Sequence, residues 1–185
     1  SIDGGAGNDI IDGGIDSEID ILQGNSGNDT FILRADSGVD VINGGNDIDT
    51  VDYSSLGASQ HLTLTLNNSA GTTATIIDGA STYTDSIENI ENIKSGAGND
   101  ILNLSAVGSS GEYIYAEAGD DLIYVGAALT SADLIDGGEG TDTVAFASAT
   151  TNTLIAKSIE NVKVASGTGA TTAVNFTSVD SAIAI

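Results

Sequence analysis

The stretch GGAGNDIID, Gly4 through Asp12, fastens six residues that favour turns to three that favour a strand. Such a segment packs poorly by itself, so its meaning depends on whether it recurs. It does. With Gly4 as position 1 the unit reads G-G-x-G-x-D-x-U-x, where U is a large aliphatic or aromatic residue, Asp9 holds position 6 and Ile11 holds position 8. The same two roles fall to Asp20/Leu22, Asp29/Phe31, Asp40/Ile42 and Asp49/Val51, and after a gap to Asp100/Leu102, Asp121/Ile123, Asp133/Ile135 and Asp142/Val144. The best-preserved loops are GGAGND (4–9), GNSGND (24–29), SGAGND (95–100) and GGEGTD (137–142).

The spacing alternates. Asp9 to Asp20 is 11 residues, Asp20 to Asp29 is 9, Asp29 to Asp40 is 11 and Asp40 to Asp49 is 9, so alternate copies lie 20 apart; later, Asp100, Asp121 and Asp142 are 21 apart. A short and a long half-turn in alternation mean two loops per coil on opposite edges, each coil running strand, loop, strand, loop. The pattern predicts an all-β, right-handed parallel β-roll or β-helix of two thin sheets with glycine-rich loops, interrupted and followed by wider β-coils. Position 8 points into a thin aliphatic core. One coil cannot bury its apolar face without the coils on either side.

Composition fits such a core. The 185 residues are 40% hydrophobic but only 4% aromatic, with no Trp, Cys, Met or Pro. Four Lys+Arg stand against 27 Asp+Glu, a net charge of −23. That balance excludes nucleic acid, whose phosphates need clustered cations, and disfavours anionic membrane surfaces. No hydrophobic run approaches 18 residues, so membrane insertion is not expected. Mean hydropathy of +0.10 argues against simple disorder. A cysteine-free acidic chain fits a secreted bacterial protein, and a start at Ser1 with no methionine reads as a fragment.

Stacked position-6 carboxylates repel one another unless a cation lies between them. The available ligands are all oxygens, from Asp side chains and from carbonyls exposed by glycines. Hard oxygen ligation in an adaptable loop selects Ca²⁺ over Zn²⁺ and over the stricter Mg²⁺. Several ions are expected.

The nonapeptide resembles the RTX (haemolysin-type calcium-binding) repeat of secreted bacterial proteins, over residues 3–52 and 95–145. The resemblance implies Ca²⁺ between consecutive loops on one edge. Its side-chain ligands would be Asp9, Asp20, Asp29, Asp40, Asp49, Asp100, Asp121, Asp133 and Asp142. Backbone ligands would come from Gly4, Gly5, Ala6 and Gly7; Gly24, Ser26 and Gly27; Gly44 and Gly45; Gly96, Ala97 and Gly98; and Gly137, Gly138 and Gly140. Three loops depart from the pattern. GGIDSEID (13–20) has two extra residues, so Asp16 or Glu18 joins or distorts that site. GSSGEY (108–113) puts Tyr113 in the Asp slot, with Glu112 the one substitute and a weakened or empty site expected. SGTGAT (166–171) ends in Thr171 and is expected to have lost calcium.

Asp in a glycine-rich turn can simply cap it. Nine copies in phase with a charge of −23 weigh against that reading for the set. No EF-hand is present: Asp47-Ile-Asp49-Thr-Val-Asp52 has the acids but lacks the glycine. Catalysis is poorly supplied, and no enzyme is read here. His61, the sole histidine, reads as a strand surface residue; GASQH (57–61) is not a nucleophile elbow, and H-E-x-x-H is absent. The tyrosines form no stacking platform.

The organisation reads as a first roll block (1–52), a strand-rich wider coil (53–94), a second block (95–145) and a Thr/Ala/Val-rich β segment ending the roll (146–185). In HLTLTL (61–66) strict alternation turns Leu62, Leu64 and Leu66 inward. S-I-E-N occurs at 86–89 and 158–161, as if the unit were duplicated. The favoured function is a calcium-binding module of a bacterial cell-surface protein, an S-layer subunit or adhesin, folding on Ca²⁺ outside the cell in a structural role. The alternative is the C-terminal calcium-binding secretion and folding region of a type I-exported enzyme or toxin. Candidate partners are calcium, copies of the chain itself or another surface protein.

Overall fold

The computed structural model describes residues 1–36, 38–67, 72–106, 111–126, 132–146, 152–164 and 174–176. The elements run β1 (Ile2–Ala6), β2 (Ile10–Asp12), β3 (Ile21–Ser26), β4 (Thr30–Ile32), β5 (Val41–Asn46), β6 (Thr50–Asp52), β7 (Gln60–Asn67), β8 (Thr72–Asp78) and β9 (Ser81–Glu88). They continue with β10 (Asn92–Lys94), β11 (Ile101–Ala106), β12 (Tyr113–Tyr115), β13 (Leu122–Val125), β14 (Leu134–Asp136), β15 (Thr143–Phe146), β16 (Asn152–Lys157), β17 (Asn161–Val164) and β18 (Val174–Phe176). Among the described residues there is no helix, hence none long and apolar enough to cross a membrane.

The chain is a parallel β-solenoid. Among the described residues its first sheet has ten strands in the order β1-β3-β5-β9-β8-β7-β11-β13-β15-β17, and its second has eight in the order β18-β16-β14-β12-β10-β6-β4-β2. Register follows the repeat. In the second sheet Ile11, Phe31, Val51, Ile93, Ile114, Ile135 and Ala156 stack in one row. In the first, Leu22 pairs Ile42, which pairs Ile87, and Leu102, Ile123 and Val144 stack likewise. All nine position-8 residues are buried between the sheets. Each such side chain contributes about 1.5–3 kcal/mol relative to exposure, and only stacking makes that burial possible.

The strand-rich segment expected within 53–94 takes a more particular form than a wider coil. From β6 the chain crosses to β7, which lies beside β11, and returns through antiparallel β8 and β9 to β5. The second sheet meanwhile passes directly from β6 to β10 and on to β12. The first sheet therefore carries β7 and β8 as extra strands. Leu62, Leu64 and Leu66 face inward as expected, joined by Ala74 and Ile76 of β8. Tyr53 and Leu56, on the crossing segment, are buried with them. Loop 166–171 lies outside the described residues.

Candidate metal centre

Position 6 sits at the mouth of each strand, where the backbone N–H needs an acceptor. The carboxylate of the next coil supplies it. On the first edge, where the chain passes from the first sheet to the second, Asp9 N–H donates to Asp29 Oδ1 (2.8 Å), Asp29 to Asp49 (2.8 Å) and Asp49 to Glu91 Oε2 (2.9 Å). Further along the same edge Glu112 N–H donates to Asp133 Oδ1 (2.9 Å). On the second edge Asp20 donates to Asp40 (2.9 Å) and Asp40 to Asp85 (3.2 Å). Beyond the inserted strands Leu62 donates to Asp100 (2.8 Å), Asp100 to Asp121 (2.7 Å), Asp121 to Asp142 (2.9 Å) and Asp142 to Glu160 Oε2 (2.7 Å).

All nine aspartates singled out from the sequence thus lie in two columns. Asp29, Asp40, Asp49, Asp100, Asp121, Asp133 and Asp142 are buried, whereas Asp9 and Asp20, in the first coil, are half-buried. The six-residue loops change edge midway. Loops 4–9, 24–29 and 44–49 run along the first edge; loops 95–100, 116–121 and 137–142 run along the second.

The loop backbone explains the glycines. Positions 2 and 4 take positive φ in Gly5 and Gly7, Asn25 and Gly27, Gly45 and Asp47, Glu117 and Gly119, and Gly138 and Gly140. A Cβ added at Gly27 would fall on the Gly7 carbonyl oxygen, at Gly45 on that of Asn25 and at Gly140 on that of Gly119. Carbonyls are thus aimed along the stack onto the next loop, as oxygen ligation requires. Gly96 and Gly98 are excluded from carrying side chains by contact instead, against Leu56 and the Gln60 carbonyl.

In Asp29, Asp49, Asp121 and Asp142 one oxygen is used up by the N–H of the preceding coil, and the second, Oδ2, is buried with no hydrogen-bond partner, as is Oδ2 of Asp9. Burial, with neighbouring carboxylates adding to it, raises Asp49 and Asp142 to about 6 and Asp121 to about 8. Asp40 and Asp100 are raised for the same first cause. Buried, partnerless carboxylate oxygens beside loop carbonyls fit a hard divalent cation. Among the described residues no three acidic or histidine side chains gather at one point, so an ion would complete its shell from the carbonyls. Protein cations do not do this work. Among the described residues Arg34 pairs with Asp12, Lys94 with Asp52 and Glu117, and Lys157 with Asp136, none of these partners a column member.

Two sequence expectations need correction. Tyr113 does not hold the Asp slot of 108–113: Glu112 is the buried residue whose N–H meets Asp133, and Tyr113 is an exposed strand residue. The register is set by Ile114 stacking on Ile93 and Ile135, two residues after Glu112. His61 shares the outward face of β7 with Thr63 and Thr65, half-buried there, with its Nδ1 enclosed beside loop 95–100 without a hydrogen bond. In loop 13–20 the extra length goes into a local turn, with Glu18 N–H donating to Asp16 Oδ1, while Asp16 and Glu18 stay exposed. Reading for Asp at position 6 of a glycine-rich loop missed Asp85, Glu91 and Glu160. The signal was an acid two residues before an inward aliphatic: Asp85-Ser-Ile87, Glu91-Asn-Ile93 and Glu160-Asn-Val162.

The RTX calcium-binding nonapeptide repeat (4 copies) matches residues 1–17, 16–51 and 127–148. No curated relative matches the chain. Among solved structures, the extracellular lipase LipA from Serratia marcescens is similar over 88% of this chain and 30% of that one, at 17% identity and a TM-score of 0.34. The chain thus spans less than a third of that enzyme's length.

Proposed function

We propose, from the premise that this chain carries RTX calcium-binding nonapeptide repeats, that it is a calcium-stabilised module of a secreted bacterial cell-surface protein, an S-layer subunit or adhesin. Its role is structural, and it folds on Ca²⁺ outside the cell. The observation that carries this reading is the buried ladder of carboxylates, in which Oδ2 of Asp9, Asp29, Asp49, Asp121 and Asp142 has no hydrogen-bond partner. Asp9, Asp20, Asp29, Asp40, Asp49, Asp100, Asp121, Asp133 and Asp142 would contribute the side-chain oxygens, and the carbonyls of the glycine-rich loops the rest. Bound calcium neutralises the columns, and because it binds the folded chain it adds stability by mass action. Extracellular modules of this kind work at roughly 10⁻⁴–10⁻³ M calcium, so the chain would be unfolded at cytosolic levels. Few cations and Ser/Thr/Gly-rich strands support an assembly role over a catalytic one.

Circular dichroism with and without a chelator tests the folding step; a β spectrum unchanged in EGTA would refute it. Light scattering and electron microscopy at millimolar calcium test the surface role. Ordered assemblies are expected, and a persistent monomer would count against it.

A further inference from the structure

Each block of glycine-rich loops ends on the same short turn. Asn89-Ile90-Glu91-Asn92-Ile93-Lys94 stacks on loop 44–49, and Ser158-Ile159-Glu160-Asn161-Val162-Lys163 stacks on loop 137–142. In both, the first residue is left-handed, with φ of 53° at Asn89 and 50° at Ser158. The isoleucine that follows is buried. The glutamate then reaches back to accept the position-6 N–H of the last loop, at 2.9 Å from Asp49 and 2.7 Å from Asp142.

The left-handed residue has a second effect. A Cβ added at Gly44 would collide with both the Asn89 carbonyl oxygen and Asp49 Oδ2, and one added at Gly137 with both the Ser158 carbonyl oxygen and Asp142 Oδ2. The same pair of oxygens meets over Gly24, within the first block, where they come from Gly44 and Asp29. Asp49 and Asp142 are fully buried, and their Oδ2 atoms have no partner. The end of each column therefore presents the oxygens found in its middle.

We infer that these x-Ile-Glu-Asn-[Ile/Val]-Lys turns complete a last divalent-cation site in each block, a glutamate carboxylate and one carbonyl standing in for a whole loop. The ions concerned are hard, oxygen-seeking dications, with calcium the probe. This deepens the calcium reading above and rests on it. It explains why Glu replaces Asp here: the turn is shorter than a six-residue loop, and the longer side chain spans the difference.

The test uses the full chain with Glu91→Gln, Glu160→Gln and the double variant, titrated with calcium by isothermal calorimetry. Glutamine keeps an oxygen for the N–H and removes the charge. A capping role alone therefore leaves the ion count unchanged, whereas a ligand role removes one ion per substitution. Far-UV circular dichroism in calcium checks that each variant folds. Should Gln prevent folding, Glu91→Asp retains the charge on a shorter arm and is expected to weaken one ion about tenfold, a typical loss for a mispositioned ligand. Wild-type ion numbers and affinities in these variants overturn the inference. A wild-type chain that takes up no calcium overturns the calcium reading itself.

Discussion

A position-6 aspartate has two oxygens with two duties, and substitutions can separate them. Asp29→Asn keeps an acceptor for Asp9 N–H but gives up the charge at the partnerless Oδ2. Calcium affinity is expected to fall roughly 10- to 100-fold, the worth of one charge-assisted contact, as read by calorimetry. The ladder should survive, so a variant with unchanged affinity would exclude Asp29 as a ligand. Glycines separate in the same way. Gly5 and Gly27 both have positive φ, but a Cβ at Gly5 meets nothing within 4 Å whereas one at Gly27 falls on the Gly7 carbonyl. Gly5→Ala should cost about 1–2 kcal/mol from the left-handed backbone alone. Gly27→Ala should cost clearly more, because the stacked carbonyl has to move; equal midpoints in urea would contradict that close approach. The phased aspartates could be read directly because charge and spacing repeat together. Glu91 and Glu160 were hidden because a longer arm on a shorter turn reaches the same N–H without sharing the loop's spelling.

At the scale of elements, alternation in HLTLTL identifies the buried face of β7, but a period of two says nothing about which strand lies alongside. The antiparallel return through β8 and the placement of β7 beside β11 are set by tertiary pairing, so they could not be read locally. Tyr53 is the one large aromatic on the crossing segment and is wholly buried; its O–H donates to Asp85 Oδ2 at 3.2 Å, while Asp85 Oδ1 accepts from Asp40 N–H. Tyr53→Phe leaves that buried oxygen unsatisfied and should destabilise the loaded chain by about 1–3 kcal/mol, measured by chemical denaturation. A change near zero would mean that Asp85 is already protonated or solvated there. The switch of the six-residue loops from one edge to the other falls at the same insertion. Both blocks have similar spellings, and the spelling does not say on which side of the roll it stands.

For the molecule as a whole, protons and calcium compete for the same oxygens. In the metal-free chain Asp49, Asp85 and Asp142 are raised to about 6 and Asp121 to about 8, burial being the first cause in each. The folded state then binds more protons than the unfolded one above the usual carboxylate value of about 4. Its stability is fullest below that value and is lost as pH rises through about 6 to 8. Calcium binding has the opposite dependence, since its ligands must be ionised. Without calcium, the β signal in circular dichroism should grow as pH is lowered from about 8 to about 5; with calcium, affinity should fall over the same range. A metal-free spectrum flat across that range would contradict the buried ladder.

The change of edge has a consequence for how order spreads along the roll. Along the six-residue loops one ladder runs Asp9, Asp29, Asp49 to Glu91 and another runs Asp100, Asp121, Asp142 to Glu160 on the far side, with the shorter ladders Asp20, Asp40, Asp85 and Glu112, Asp133 on the opposite edges. In the language of one-dimensional lattices these are several short chains of spins rather than one long one, coupled through the shared sheets. The inserted strands act as a firebreak. A vacancy in one lattice ends at its own boundary, and the other half of the roll keeps its own transition.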